Sequence, residues 1–223
     1  MMDKMTRIKN KYFIDFKLPK TEITININAI KKIMLHTIEF SNPTKSNWRW
    51  KEVMGILGGK IKDENNIYVN DSFAITHGNH YSVQYNKKNY IIATQINDLL
   101  FKKNEFFVGW YHSHPGLGFF YSHTDIINHL GYQDVNPHAI GIVFDHKGYD
   151  RERKFFEIYK LRYSNYGYIS YESVPYIIES VSKKDEIKTL KKIYDEILFY
   201  WKIGLVESAE KTIKKWLKEF KKM

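Results

Sequence analysis

The chain has 223 residues, of which 43% are hydrophobic and 16% aromatic, so its composition excludes a disordered protein and suits one domain with an appendage. Its formal net charge of +10 is concentrated at the two ends: residues 1–51 carry 11 basic and 4 acidic side chains and residues 183–223 carry 12 and 7, against 6 and 7 in residues 52–125. The lysines are spread rather than clustered with aromatic residues, so we expect solvated faces and no nucleic-acid partner.

Cysteine is absent, which excludes a disulfide scaffold and a cysteine-ligated zinc and fits a cytoplasmic protein. Residues 1–20 are interrupted by charges and lack the apolar core of a signal peptide. Because no window reaches eighteen uninterrupted apolar residues, we expect no membrane span.

The first third of the chain predicts two strands with a helix between them. Residues 1–20 predict an edge strand or a loosely held arm, and the polar and apolar alternation of residues 21–27 predicts a half-buried strand. Asn28 is a candidate N-cap for a helix from Ala29 to about Phe40. The apolar run that follows Glu52 predicts a core strand over residues 52–61.

In the middle of the chain, residues 67–75 predict a returning strand, and the residues after it show no regular hydrophobic period. Residues 76–88 predict an exposed loop or short strand, and residues 90–103 predict a helix with an apolar stripe. The next segments predict strands and one short helix, in the order strand, helix, strand, strand: residues 106–111, 122–130, 138–144 and 154–162. Strands that alternate with amphipathic helices indicate an α/β fold, a mixed β-sheet covered by helices.

The pattern changes after residue 182. Two amphipathic stripes, separated by Gly204, predict a C-terminal helical hairpin. We therefore predict two units, a domain over residues 1–182 and a helical extension over residues 183–223, which either packs on the domain or docks a partner.

Metal-ligating residues cluster at the end of the strand over residues 106–111. His112 and His114 are two apart, so their imidazoles point to one face. Ser122 and Asp125 are three apart in the first turn of the predicted helix, which makes them neighbours and allows Asp125 to be a third ligand. Two histidines and one carboxylate suit one catalytic Zn²⁺ per chain, with its fourth position left for water.

Glu52 completes a recognisable set. A carboxylate at the border of an apolar strand is costly unless it is solvated or used. Glu52, His112-x-His114 and, after seven further residues, Ser122-x-x-Asp125 resemble the defining motif of the JAMM (MPN-plus) zinc metalloprotease family, in particular its proteasome-lid deubiquitinating branch and archaeal relatives. The resemblance covers about residues 21–165.

This resemblance implies a fold, a reaction and a substrate. The fold would be the MPN sheet between helices, which is cytidine-deaminase-like. Glu52 would move the proton of a zinc-activated water, and Ser122 would stabilise the charge on the attacked carbonyl oxygen. The family cleaves isopeptide bonds between lysine and ubiquitin or a ubiquitin-like modifier. Substrate-binding residues would come from the loop after the histidines and from the segment over residues 76–88: Gly116, Leu117, Gly118, Val83 and Tyr85.

Four alternatives compete with an isopeptidase. A catalytically silent MPN scaffold for a proteasome-like complex would keep the fold without the chemistry, and the positive charge could serve a nucleic-acid or membrane partner. A zinc deaminase would need Pro-Cys-x-x-Cys ligands, which this chain lacks. A serine hydrolase using Ser113 or Ser122 would need a Gly-x-Ser-x-Gly elbow, and neither serine has one.

Overall fold

One mixed sheet organises the protein. The structure, a computed structural model, describes residues 22–63, 66–163 and 169–220. Within them the strands are β1 (Glu22–Ile25), β2 (Val53–Asp63), β3 (Asn66–His77), β4 (Phe106–Ser113), β5 (Ile140–Phe144), β6 (Phe156–Tyr163), β7 (Ile169–Ser173) and β8 (Tyr176–Ile178). They form a single sheet in the order β7-β6-β5-β4-β2-β3-β1-β8. The predicted α/β class is confirmed.

Helices cover both faces of this sheet. They are α1 (Ile27–Phe40), α2 (Lys87–Lys102), α3 (His123–Gln133), α4 (Gly148–Glu152), α5 (Glu186–Lys202) and α6 (Ala209–Phe220). Helices α1 and α5 share the largest core cluster, whereas α2 and α6 contribute to a second and α3 packs on a third. None of the described helices is long and apolar enough to cross a membrane.

The predicted first residues of helices α1 and α2 lie too far along the chain. Helix α1 is capped by Asn26, whose side chain accepts the backbone N–H of Asn28, so the predicted cap at Asn28 is wrong. Helix α2 is capped by Asn86, which exchanges side-chain and backbone hydrogen bonds with Asn89. The apolar stripe of a helix shows roughly where the helix lies. The capping asparagines are polar and have polar neighbours, so the hydrophobic pattern does not show where the first turn begins. The predicted arm over residues 1–20 lies outside the described residues.

Strand β4 lies at the centre of the sheet. It pairs antiparallel with β2 and parallel with β5. Because the carboxyl ends of parallel strands meet at one edge, the residues that follow β4 and β5 lie side by side. This edge carries the candidate site. The short strands β7 and β8 at the sheet borders were not predicted, since three to five residues give too little alternation to recognise.

The two C-terminal helices pack on the domain through α1. Leu190, Ile193 and Tyr194 of α5 are buried in the same core as α1, and Ala209 and Ile213 of α6 join the cluster around α2. The Glu39 carboxylate at the end of α1 accepts the Ser208 hydroxyl and the Ala209 N–H at the start of α6. The division at residue 182 stays a prediction.

We expect Leu190→Ala to lower the free energy of unfolding by about 2–5 kcal/mol, because Leu190 is 1% exposed in the main core. Leu205→Ala, the same change at a residue that is 72% exposed, should stay within about 0.5 kcal/mol. Urea unfolding of both variants measures the difference. Equal effects would mean that α5 is not part of the folding unit.

Candidate metal centre

Two imidazoles converge at the carboxyl end of β4. His112 belongs to β4 and His114 follows it, and both are buried. The Nε2 atoms of the two rings lie 3.0 Å apart. Two-residue spacing on an extended chain puts both rings on one face, as the sequence predicts.

Helix α3 brings a carboxylate to the same point. Asp125 lies in its first turn, with Oδ1 at 3.2 Å from Nε2 of His112 and Oδ2 at 3.4 Å from Nε2 of His114. One ligand atom from each of these three residues lies within 4.8 Å of the others. Ligands about 2.1 Å from a tetrahedral zinc are about 3.4 Å apart, so the donor set and its spacing fit this ion.

The protonation states suit ligation. Burial lowers the pKa of His112, although the charge of Asp125 opposes the effect, so the imidazole is neutral near pH 7. Burial alone would raise the pKa of Asp125, but hydrogen bonds from His112, His114 and Ser122 to its carboxylate outweigh this effect and hold the pKa far below its usual range. A neutral imidazole and an ionised carboxylate are the forms that bind a metal.

Glu52 faces the ligands from the neighbouring strand. Met54 pairs with His112 in the antiparallel ladder, and Glu52, which directly precedes β2, is close enough to Asp125 for their charges to interact. The backbone of Glu52 is fixed by two hydrogen bonds, its N–H to Asn79 O at 2.7 Å and its carbonyl from Gly78 N–H at 2.8 Å. Burial, reinforced by the charge of Asp125, raises the pKa of Glu52 to about 8.

Ser122 is the N-cap of α3. Its hydroxyl donates to Asp125 Oδ2 at 2.6 Å and accepts the Asp125 N–H at 3.2 Å, while its own N–H donates to Asp125 Oδ2 at 2.8 Å. The hydroxyl therefore orients the carboxylate. Ser-x-x-Asp is the spacing of a capping box, a signal in the sequence from which this contact could have been predicted. The role of Ser122 towards a carbonyl oxygen stays a prediction.

A polar network behind His112 was not predicted. The Trp110 indole stacks on the His112 ring at 4.6 Å between centroids, and its N–H donates to His129 Nδ1 at 2.8 Å. His129 Nε2 then faces Gln133 Oε1 at 3.1 Å, so the proton of the neutral ring lies on Nε2. A Cβ at Gly141 would lie 3.0 Å from both the Trp110 and His129 ring nitrogens, which favours glycine there.

The loop after the histidines lies beside the site. Gly116 and Gly118 have φ values of +80° and +103°, which favour glycine, and Leu117 is 39% exposed between them. The N–H groups of both glycines point inward, to the buried carboxylate of Asp145. Asp145, at the end of β5, was missed because contacts from a side chain to a distant backbone leave no pattern in the sequence.

The segment over residues 76–88 has its named side chains turned inward. Val83 is buried in the cluster that contains Met54 and Trp110, and the Tyr85 hydroxyl accepts the hydroxyl of Tyr132 at 3.1 Å. Substrate contacts by these side chains stay predictions. Among the described residues, the backbone of residues 83–85 makes no hydrogen bond.

The greater part of the chain matches a known protein family. The family profile described as JAB1/Mov34/MPN/PAD-1 ubiquitin protease matches residues 20–138, and the chain belongs to this family. It is 31% identical over 131 residues to the 26S proteasome non-ATPase regulatory subunit 14 of Dictyostelium discoideum, covering 57% of this chain and 40% of that protein. It is 32% identical over 97 residues to the ubiquitin carboxyl-terminal hydrolase RPN11 of Saccharomyces cerevisiae, covering 42% and 31%. The chain thus spans less than half the length of these relatives.

We expect Glu52→Gln to stabilise the metal-stripped protein in a pH-dependent way. The free carboxyl has a pKa of 4.5 and the folded one a pKa of about 8, so between these values unfolding releases a proton and the wild type loses stability as pH rises. The gain in melting temperature should therefore be smallest near pH 4.5, grow to pH 8 and then level off, exceeding about 2–4 °C, the shift that 1 kcal/mol produces.

Thermal unfolding between pH 4 and 9 measures this difference. Glu196→Gln, which removes an exposed carboxylate on α5, is the matched control and should show no comparable trend. A gain that does not change with pH would contradict the burial of an ionisable Glu52.

Proposed function

We propose that the protein is a zinc-dependent isopeptidase, which hydrolyses the bond between a lysine amine and the C-terminal tail of ubiquitin or a ubiquitin-like modifier. The observation that carries the proposal is the convergence of His112, His114 and Asp125 within 4.8 Å, with the buried Glu52 on the facing strand. Zinc held by these three residues would supply a water of pKa about 7 in place of about 15.7.

Glu52 is the proposed proton carrier. Burial and the nearby Asp125 strengthen its hold on a proton, so its carboxylate can accept one from the attacking water. The same carboxyl group can then deliver the proton to the departing lysine amine. Its backbone N–H and carbonyl are both held by hydrogen bonds to residues 78 and 79, which fix the backbone of Glu52 just before β2.

Ser122 is proposed to assist at the carbonyl oxygen. Its hydroxyl lies at the N-terminus of α3, where helix N–H groups favour developing negative charge. To donate to the carbonyl oxygen, the hydroxyl would have to turn away from Asp125, to which it donates at 2.6 Å. The Ser122 N–H also donates to Asp125, so that carboxylate would stay oriented.

The tail of the modifier is proposed to lie between two segments. Gly116, Leu117 and Gly118 follow the candidate ligand histidines, and residues 83–85, with Val83 and Tyr85 anchored inward, make no backbone hydrogen bond to any other described residue. An extended tail could pair with such a backbone by strand addition. The printed name of the yeast relative, a ubiquitin carboxyl-terminal hydrolase, supports this substrate class.

The partner is proposed to be a proteasome-like complex, reached through residues 183–223. At the carboxyl end of α5 and just after it, apolar side chains face outward: Phe199 is 57%, Ile203 51% and Leu205 72% exposed. The matched relative from Dictyostelium discoideum is named as a proteasome regulatory subunit. The same surface favours the second candidate function, a silent MPN scaffold. We propose a cytoplasmic location, in keeping with the absence of cysteine.

We expect the purified protein to bind one zinc per chain and His114→Ala to lose it. Removing a ligand should cost more than the roughly 100-fold loss of affinity caused by removing a hydrogen-bond partner of a ligand. His123→Ala, an exposed histidine in the first turn of α3, is the control and should keep the zinc. Metal analysis after gel filtration measures both, and a native protein without zinc would argue strongly against the site.

We expect Glu52→Gln to keep the zinc and to lower kcat for an isopeptide-linked diubiquitin by about 10²–10⁴-fold, because an amide cannot accept the proton. Glu196→Gln should cleave at the wild-type rate. A wild type that binds zinc but cleaves neither diubiquitin nor a panel of other modifier conjugates would favour the scaffold. If Glu52→Gln cleaves normally, the proton carrier is another residue.

A further inference from the structure

We propose that Asp145 and Arg151 are positioning residues, which hold the loop over residues 116–118 in the shape that receives the substrate tail. This inference rests on the proposed function, since it concerns how that site binds its substrate. Neither residue belongs to the motif that defines the site, and neither touches the metal ligands through its side chain.

Asp145 is the anchor. Its carboxylate is 0% exposed and accepts the N–H groups of Gly116 at 2.9 Å, Gly118 at 3.0 Å and Lys147 at 2.9 Å. A buried carboxylate is costly unless it is fully hydrogen-bonded and paired. Two of these hydrogen bonds come from the loop over residues 116–118. The buried carboxylate therefore keeps its hydrogen-bond donors only while this loop holds its shape.

Arg151 completes the anchor from α4. Its guanidinium donates to Asp145 Oδ2 and, at 2.9 Å, to the carbonyl oxygen of Gly116. One planar group thus bridges the anchor and the loop, which a lysine ammonium cannot reproduce with the same geometry. The side chain is 41% exposed, so it forms part of the surface beside the site.

The N–H groups of residues 116–118 donate to acceptors inside the protein. Those of Gly116 and Gly118 bind Asp145, and that of Leu117 donates to His114 O at 3.1 Å. Because Arg151 also binds the Gly116 carbonyl, the group that the loop presents outward is the half-exposed Leu117 side chain. We infer that Leu117 meets an apolar side chain of the substrate tail and that Asp145 and Arg151 fix where it does so.

The metal ligands are held separately. His112 is fixed in the β4 ladder, the His114 N–H donates to Phe144 O at 2.9 Å, and Asp125 is fixed by the cap of α3. Loosening the loop should therefore weaken substrate binding and leave zinc in place. A residue with only a structural role would affect both.

The test uses the full chain with bound zinc and isopeptide-linked diubiquitin. We expect Asp145→Asn and the milder Arg151→Lys to raise KM about tenfold, the equivalent of one lost hydrogen bond to a charged group, with kcat changed less than about threefold. Zinc should remain at one per chain. Asp150→Asn and Arg153→Lys make the same changes on or beside α4, where these side chains contact Lys147 and Tyr149, and should behave as wild type.

Hydrogen exchange of residues 115–121 gives a second readout that needs no activity. We expect faster exchange in both loop variants and none of this increase in α3. Unchanged exchange, or faster exchange with unchanged KM, would overturn the proposal, as would a joint loss of zinc, stability and kcat in Arg151→Lys. If the wild type cleaves no conjugate, the proposed function fails on its own, and exchange alone decides whether these residues fix the loop.

Discussion

The close approach of two imidazole nitrogens and one carboxylate is the constraint on which the rest of the structure depends. Nε2 lone pairs 3.0 Å apart in a buried site repel each other unless a proton or a cation lies between them, and Asp125 supplies the opposite charge for either. Each ligand must therefore be held against this repulsion. The central position of β4, the cap of α3 and the stacking of Trp110 on His112 all serve that end.

The sheet explains why these groups meet. Strands β4 and β5 are parallel, so their carboxyl ends lie at one edge, and the residues just beyond them are His114 and Asp145. Strand β2 is antiparallel to β4, so its beginning lies at that same edge and brings Glu52 there. Three strand ends thus bring together a candidate metal ligand, the proposed loop anchor and the proposed proton carrier, although these residues are far apart in the sequence.

The sequence predicts those structural features that produce a hydrophobic pattern or a fixed spacing between residues. Continuous apolar runs located the central strands. The two-residue spacing of the histidines and the place of Asp125 in the first turn of a helix predicted that His112, His114 and Asp125 could hold one ion, and these three residues lie within 4.8 Å of one another here. It did not predict the contacts of Asp145 and His129, because a hydrogen bond between distant residues has no local signature. The cap at Asn26 is a local contact, and it was missed because the apolar stripe does not mark the first turn of the helix. The stripes of α5 and α6 revealed their apolar faces but not that α1 is their common partner.

Regular elements and loops have different tasks in this site. The histidines are held by strand ladders, whose backbone hydrogen bonds form whatever the neighbouring side chains are, and Asp125 is held by the side-chain cap that it forms with Ser122. The loop over residues 116–118 lacks a ladder, and its shape comes from one buried carboxylate. We therefore propose that metal affinity and substrate affinity have separate physical origins in this fold. It follows that relatives could change the tail they accept by altering the anchor at Asp145 or the side chain at Leu117, while the metal centre stays unchanged.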